Sequence, residues 1–326
     1  MILSKTPMRV SFVGGSTDLP AFYENNEYGC VISTAINRFV YVAIHPRFDD
    51  KIRLAYSENE FVSSIEEIKN ERIREALKRL LVHDNIEIFY MSDIPKGTGL
   101  GGSSSFTVGL LHALNRFKGI PIFPERLARE ACEIEIDVLK NPIGKQDQYA
   151  AALGGMNYLR FWANGTVSSE PILIDESLIL SIMNNLVFIY LGFERSASDI
   201  LTDVAAQMQY TSQHLLKMRD ITDQLHRELM KRNIDQFPLA LHENWELKKQ
   251  TSSRISNGHI NDLYNLCISA GATAGKLLGA GAGGFLMMYV PMDNQPHFFK
   301  KIKHLPTFKF DVVHSGSEIV HDTKGY

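Results

Sequence analysis

Residues 8–13 (MRVSFV) alternate apolar and polar side chains as a strand with one polar face does, and the run stops in Gly14-Gly15-Ser16-Thr17-Asp18-Leu19-Pro20. Strand-like runs return at residues 39–44 and 52–54. From 65 to 81 the apolar positions Ile65, Ile68, Ile73, Leu77, Leu80 and Leu81 recur at helical spacing among charges, which predicts one amphipathic helix. Residues 86–91 alternate again, and Phe106, Leu110, Leu111 and Leu114 then share a helical face, so the stretch between them is a glycine loop joining a strand to a helix. Another helix is predicted over 127–139, stopped by Asn141-Pro142, with a short one starting near Asp147. Beyond Gly155, strand patterns at 156–162 and 186–191 flank a polar, loop-rich interval, and long helical periods run through 205–231 and 238–249. A second glycine stretch, 279–284, lies between a helix and a strand; 308–313 and 318–320 read as closing strands. The change of pattern puts a domain boundary near residue 165, dividing the chain into 1–165 and 166–326.

Composition narrows the classes. A chain of 326 residues, 44% hydrophobic and 22% charged, can bury the cores of two domains. A net charge of -3 gives no general attraction to nucleic acid, so an anionic ligand must meet a local basic pocket. No apolar run is long enough for a membrane span, and Lys5 and Arg9 interrupt the first one, which lacks a cleavable-signal layout; a cytoplasmic location is expected. Cys30, Cys132 and Cys267 form neither a zinc spacing nor a disulfide framework. A small-molecule ligand is the expected partner, and a homodimer is left open.

Candidate chemistry concentrates in a few segments. In the loop Ile94-Pro-Lys-Gly-Thr-Gly-Leu-Gly-Gly-Ser-Ser-Ser105, Gly97, Gly99, Gly101 and Gly102 leave backbone N–H groups unshielded, and the following helix adds its own unpaired donors and positive dipole end. Phosphate is attracted to such a place, with Lys96 beside it. A plain glycine turn capped by serine fits the same residues. The match of Gly97, Gly99 and Gly102 to a dinucleotide fingerprint lacks the acidic residue after a second strand, and residues 271–277 miss a Walker A loop by one residue, with Leu277 where a metal-binding hydroxyl is required. Asp18 can accept hydrogen bonds from ligand hydroxyls with Arg9 as a nearby cation, or it is a turn residue and Arg9 a surface charge. Glu135 borders the buried side of its helix closely enough to turn inward. Asp147, beside Lys145, is either a helix cap or a general base taking a proton from a hydroxyl. Arg195 follows the 186–191 strand and could face a cleft.

Three pieces, the strand and turn from Arg9 to Asp18, the loop from Pro95 to Ser105 and Gly279-Ala-Gly-Ala-Gly-Gly284, stand in the order of the GHMP kinase superfamily, which the chain resembles over nearly its whole length. The resemblance implies a two-domain α+β fold, an N-terminal half of the ribosomal-protein-S5 type with a left-handed β-α-β unit and a ferredoxin-like C-terminal half, with ATP between them. Carried over, Pro95, Lys96, Gly97, Thr98, Gly99, Leu100, Gly101, Gly102, Ser103 and Ser104 wrap the ATP phosphates. Ser103, or Ser104 as runner-up, and Glu135 hold magnesium. Asp147 is the catalytic aspartate and Arg9 lies near it. Asp18, Gly15 and Ser16 form the sugar turn, where the galactokinase motif Gly-Glu-His-Thr-Asp is here Gly-Gly-Ser-Thr-Asp; Gly281 and Gly283 face the substrate. Arg-Val-Ser-Phe-Val-Gly-Gly-Ser-Thr-Asp-Leu-Pro and Ile-Gly-Lys-Gln-Asp-Gln-Tyr are most similar to heptose 7-phosphate kinases, which implies the C1 hydroxyl of a heptose phosphate as acceptor and a second anion site, with Lys145 and Arg195 as candidates. Rival expectations are a kinase for fucose, galactose or a related sugar, a non-catalytic sensor on the same fold, and a decarboxylase of the mevalonate branch, against which the Asp18 turn speaks.

Overall fold

The computed structural model describes residues 1–83, 85–192 and 197–323. In chain order the first half holds β1 (Ile2–Val13), α1 (Pro20–Tyr23), β2 (Tyr28–Pro46), β3 (Ile52–Ala55), β4 (Asn59–Val62), α2 (Glu71–Arg79), β5 (Ile86–Ser92), α3 (Gly102–Phe117), α4 (Pro124–Cys132), α5 (Gln146–Leu153), β6 (Met156–Trp162) and β7 (Val167–Pro171). The second holds α6 (Glu176–Asn185), β8 (Leu186–Tyr190), α7 (Ala197–Ala206), α8 (Met208–Met230), α9 (Gln236–Lys249), α10 (Gly258–Ser269), β9 (Ala274–Leu277), β10 (Phe285–Tyr289), α11 (Gln295–Lys301), β11 (Thr307–Phe308) and β12 (Glu318–Asp322).

Two sheets organise these elements. The larger runs β12-β1-β2-β5-β3-β4, with β6 also on β2 and β7 on β6; its only parallel pair among the described residues is β3 with β5, which flank α2. The smaller is antiparallel in the order β11-β8-β10-β9. Taken with α6 to α11 around it, that order is the ferredoxin-like arrangement. The fold is the expected two-part α+β architecture.

Long-range pairing explains most departures from the sequence pattern. The strand runs expected to be separate merge in the nineteen-residue β2, which pairs with β1 between Ile32 and Ile44, with β5 at one end and with β6 at the other. β7 pairs with β6, and β12 returns from the C-terminus to β1, so by strand pairing the first unit extends through Pro171 and takes back Glu318–Asp322. The single helix expected over 65–81 is a 3-10 turn at Ile65–Glu67 and then α2, because Asn70 accepts a hydrogen bond from the Ile73 N–H and starts a new helix. α4 stops at Cys132 and passes into a π-helical turn, Glu133–Val138. The interval expected to be loop-rich contains α6, which buries Ile179, Ile182 and Met183; a short apolar run cannot by periodicity alone be separated from a strand.

The halves meet where β1 ends. Its register against β2 shifts between Ser11 and Val13, a local irregularity that turns the chain out of the sheet and into the Gly14 turn. The α9 side chain of Asn244 accepts from Gly14 N–H at 2.8 Å, and Phe12 packs edge-on against Phe237 of the same helix, ring centroids 5.0 Å apart. Phe12→Ala is expected to cost about 3–5 kcal/mol in denaturant unfolding, because both rings are fully buried; a loss below about 1 kcal/mol would contradict this contact.

Candidate active site

Two glycine loops make the walls of one cleft. The first leaves β5 and enters α3 through Gly101, which sits at φ +76 with no side-chain cap, so the leading N–H groups of α3 open into the cleft. The three serines that follow divide their work. Ser105 Oγ donates to Pro7 O at 2.9 Å, whereas Ser103 and Ser104 line the cleft. The second loop closes against the first: a Cβ on Gly279 would stand 2.5 Å from Gly99 Cα, and one on Gly284 2.2 Å from Thr98 O. Side chains at these positions would drive the loops apart; the second loop joins β9 to β10, two strands rather than the expected helix and strand, and its glycines serve backbone packing.

Arg9 and Asp147 form the centre. Arg9 is 4% exposed; its Nε and Nη2 donate to Asp147 Oδ1 and Oδ2 at 2.8 and 2.9 Å, and its Nη1 to Gly99 O at 2.6 Å. Asp147 lies in the first turn of α5 but does not cap it. Its carboxylate is instead aimed at the mouth of α3, within 3.3 Å of where a Cβ on Gly101 would be. Asp18 is buried beside this pair, Oδ1 accepting from Ser16 N–H at 3.1 Å and Oδ2 from Gln146 N–H at 3.2 Å. Gly144 packs so tightly on it that a Cβ there would lie 1.9 Å from Asp18 Oδ2. Burial first, then repulsion from Asp147, pushes the Asp18 carboxyl up to about 6, against the hydrogen bonds from Gln146.

The residues singled out from the sequence divide cleanly. Arg9, Gly15, Ser16, Asp18, Asp147, Gly281, Gly283 and the loop from Pro95 to Ser104 border the cleft, apart from Lys96, which is exposed outside it. Lys145 turns away: its Nζ donates to Gly165 O at 2.6 Å and stands over the Tyr23 ring. Arg195 lies outside the described residues. Glu135 is fully buried behind the cleft wall, Oε1 accepting from Arg72 Nε at 2.8 Å and Thr107 Oγ1 at 3.1 Å, Oε2 from Gln148 Nε2 at 2.5 Å. Arg72, which sequence reasoning missed, borders the cleft in front of it.

Lys248 and Lys276 were missed as well. Lys276 Nζ donates to Ser11 O and Phe12 O, both at 2.9 Å, satisfying carbonyls freed where β1 leaves the sheet, and Lys248 Nζ donates to Gly279 O at 2.5 Å. Burial, and then the charge of Arg9, lowers Lys248 to about 8 against the opposing pull of Asp18; burial, Lys248 and Arg9 take Lys276 well below its usual range. For Lys276 the signal was its place at the head of the second glycine stretch; Lys248 is one charge among several on α9, and nothing in its spacing marks it.

Among the described residues no group of three or more His, Cys, Asp or Glu side chains is placed to hold a metal ion. Magnesium commonly needs only one or two protein ligands beside phosphate oxygens. Ser103 and Ser104 border the cleft, as residues holding such an ion must; Glu135 stands behind the wall with its oxygens taken by Arg72, Thr107 and Gln148, and would reach an ion only by giving up Arg72.

Glycine-loop donors at a helix mouth, facing an arginine-held carboxylate inside an S5-like and ferredoxin-like frame, are the parts of a phosphoryl-transfer site. Residues 66–155 match the GHMP kinases N terminal domain and residues 225–297 the GHMP kinases C terminal; the chain belongs to the GHMP kinase superfamily and is an ATP-dependent kinase. It is 28% identical over 321 residues to the D-glycero-alpha-D-manno-heptose 7-phosphate kinase of Campylobacter jejuni, covering 93% of each chain, and 25% identical to the galactokinase of Pyrococcus furiosus, covering 90% of each. A solved structure of a D-glycero-D-manno-heptose 1-phosphate kinase from B. thetaiotaomicron superposes with a TM-score of 0.81 at 24% identity over 98% of both chains. Among the described residues no helix is long and apolar enough to cross a membrane.

Protonation takes away part of the acceptor capacity of Asp18, and its carboxyl is pushed up to about 6, so the KM for an unphosphorylated sugar acceptor should rise as pH falls from 7 to 5, with the KM for ATP flat. Asp18→Asn should abolish that slope. An acceptor KM constant across the range would show that Asp18 does not bind the acceptor in its ionised form.

Proposed function

We propose that this GHMP kinase is a sugar kinase that transfers the γ-phosphoryl group of ATP to the C1 hydroxyl of D-glycero-D-manno-heptose 7-phosphate, giving the 1,7-bisphosphate. The observation that carries the phosphoryl-transfer reading is the Asp147 carboxylate gripped at both oxygens by Arg9 at the mouth of α3. In this reading Asp147 takes the proton of the acceptor hydroxyl, the freed oxygen bonds to the γ-phosphorus, and the bond to the ADP oxygen breaks. Loop amides from Gly97 to Gly102 and the α3 N-terminus receive the phosphates. Ser103 or Ser104 and Glu135 would hold magnesium, which supplies charge neutralisation when bound.

Support for a larger, anionic acceptor comes from the turn before Asp18. Where the galactokinase motif has a carboxylate and an imidazole, this chain has Gly15 and Ser16, both bordering the cleft. Removing a carboxylate removes repulsion toward a phosphate, and removing two long side chains makes room for it. The likeness to the Campylobacter jejuni heptose 7-phosphate kinase over 93% of the chain points the same way.

Product analysis with ATP and a panel of D-glycero-D-manno-heptose 7-phosphate, fucose, galactose and mannose tests the acceptor: the heptose phosphate should be converted with the highest kcat/KM and phosphorylated at C1, and preference for an unphosphorylated sugar would refute the choice. In the same assay Asp147→Asn should lower turnover roughly a hundredfold or more while ATP still binds. Unchanged turnover would remove Asp147 from the chemistry.

A further inference from the structure

Positive charge at the acceptor end of the cleft exceeds what the transfer step uses. Arg9 is occupied by Asp147 and Gly99. Lys248 and Lys276 are 3% and 1% exposed, both border the cleft, and among the described residues neither forms an ion pair. An ammonium has three hydrogens to donate. Lys276 directs two at the carbonyls of Ser11 and Phe12, Lys248 one at Gly279 O. Among the described residues the remaining hydrogens have no acceptor. Buried ammonium groups without counter-ions are costly unless something anionic completes them.

Neighbouring polar atoms are orphaned in the same place. Ser11 Oγ is buried without a hydrogen-bond partner, and so is Gln146 Oε1; both residues border the cleft. Ser11 Oγ lies 3.8 Å from where a Cβ on Gly15 would stand, so the missing side chain at Gly15 opens the cleft toward this hydroxyl and toward Lys276, which is bonded to the carbonyl of the same serine. Lys248, bonded to Gly279 O, is near enough to Lys276, Arg9 and Asp18 for their charges to act on one another.

We propose that Lys248 and Lys276, with Ser11 Oγ, form a receptor for a phosphate monoester carried by the acceptor, separate from the glycine loop that takes the ATP phosphates. A phosphate dianion offers three strong acceptor oxygens, enough for the spare hydrogens of both ammoniums and the serine hydroxyl. A dianion bound between them favours the protonated form of both amines against the burial that lowers them, so the pair selects a doubly charged ester over a neutral hydroxyl. The receptor rests on the reading that the acceptor is a sugar phosphate, and it assigns to the second half of the chain, through α9 and β9, the choice of acceptor.

Lys248→Met and Ser11→Ala test it, since Met keeps the packing of the lysine stem and Ser11 Oγ has no partner in the fold to lose. Lys276 is left intact because its loss would strand two carbonyls. The readout is the ratio of kcat/KM for D-glycero-D-manno-heptose 7-phosphate to that for the unphosphorylated heptose. Lys248→Met should lower this ratio about a hundredfold and Ser11→Ala about fivefold, through the acceptor KM and with the ATP KM unchanged. Calorimetric titration with the heptose phosphate in the absence of nucleotide should show the same loss of affinity. A ratio at the wild-type value in Lys248→Met, or a raised ATP KM in its place, overturns the receptor. Wild-type enzyme that shows no preference for the phosphorylated sugar refutes the acceptor reading instead, so the two failures are distinguishable.

Discussion

The guanidinium of Arg9 holds three separate parts of the chain in one geometry. It comes from β1 in the interior of the larger sheet, grips Asp147 of α5 with two hydrogen bonds and fixes Gly99 of the phosphate loop with a third. A planar fork matched to a carboxylate gives direction as well as charge, which a lysine at this position would not. With Arg9 4% exposed, the pair is shielded by the walls it joins. In the proposed mechanism the carboxylate would meet an acceptor hydroxyl at the helix mouth, with the loop tied through Gly99 O to the same arginine. Most catalysis of phosphoryl transfer is positioning of this kind.

Close approach of main chain to main chain sets the second constraint. Gly99 and Gly279 touch through their backbones, and Gly284 lies against Thr98 O, so the N-terminal and C-terminal glycine loops pack on each other as walls of the cleft. The two halves are further joined by Lys276, which reaches from β9 to the carbonyls at the end of β1, and by Asn244, which holds the Gly14 turn. The cleft is thus lined by both halves, by residues more than two hundred positions apart in the chain.

That separation explains what could be read from the sequence and what could not. The glycine loops were legible because their function is main-chain geometry, and Gly97, Gly99 and Gly101 all have positive φ. Asp147 was legible as a lone acid in a small-residue segment, and Arg9 and Asp18 through the strand-and-turn wording around them. Nearness in sequence misled elsewhere: Lys96 and Lys145 adjoin the loop and the base, but one points to solvent and the other to Gly165 O. A side chain's direction depends on what packs beneath it, and neighbours along the chain do not supply that. Lys248 sits on a helix crowded with charge, and only the fold turns it inward. Arg72 meets Glu135 across sixty-three residues, a pairing that no local pattern encodes. Nonlocal pairing likewise decided β7 and β12.

Chemistry and scaffold therefore converge on whether Arg9 and Asp147 act as one unit. A double-mutant cycle on kcat, with Arg9→Met, Asp147→Asn and both together, measures this directly. If the arginine works by holding the base, the double variant should be no slower than the slower single variant by more than about threefold. Losses that multiply, each substitution costing its full factor in the presence of the other, would contradict it.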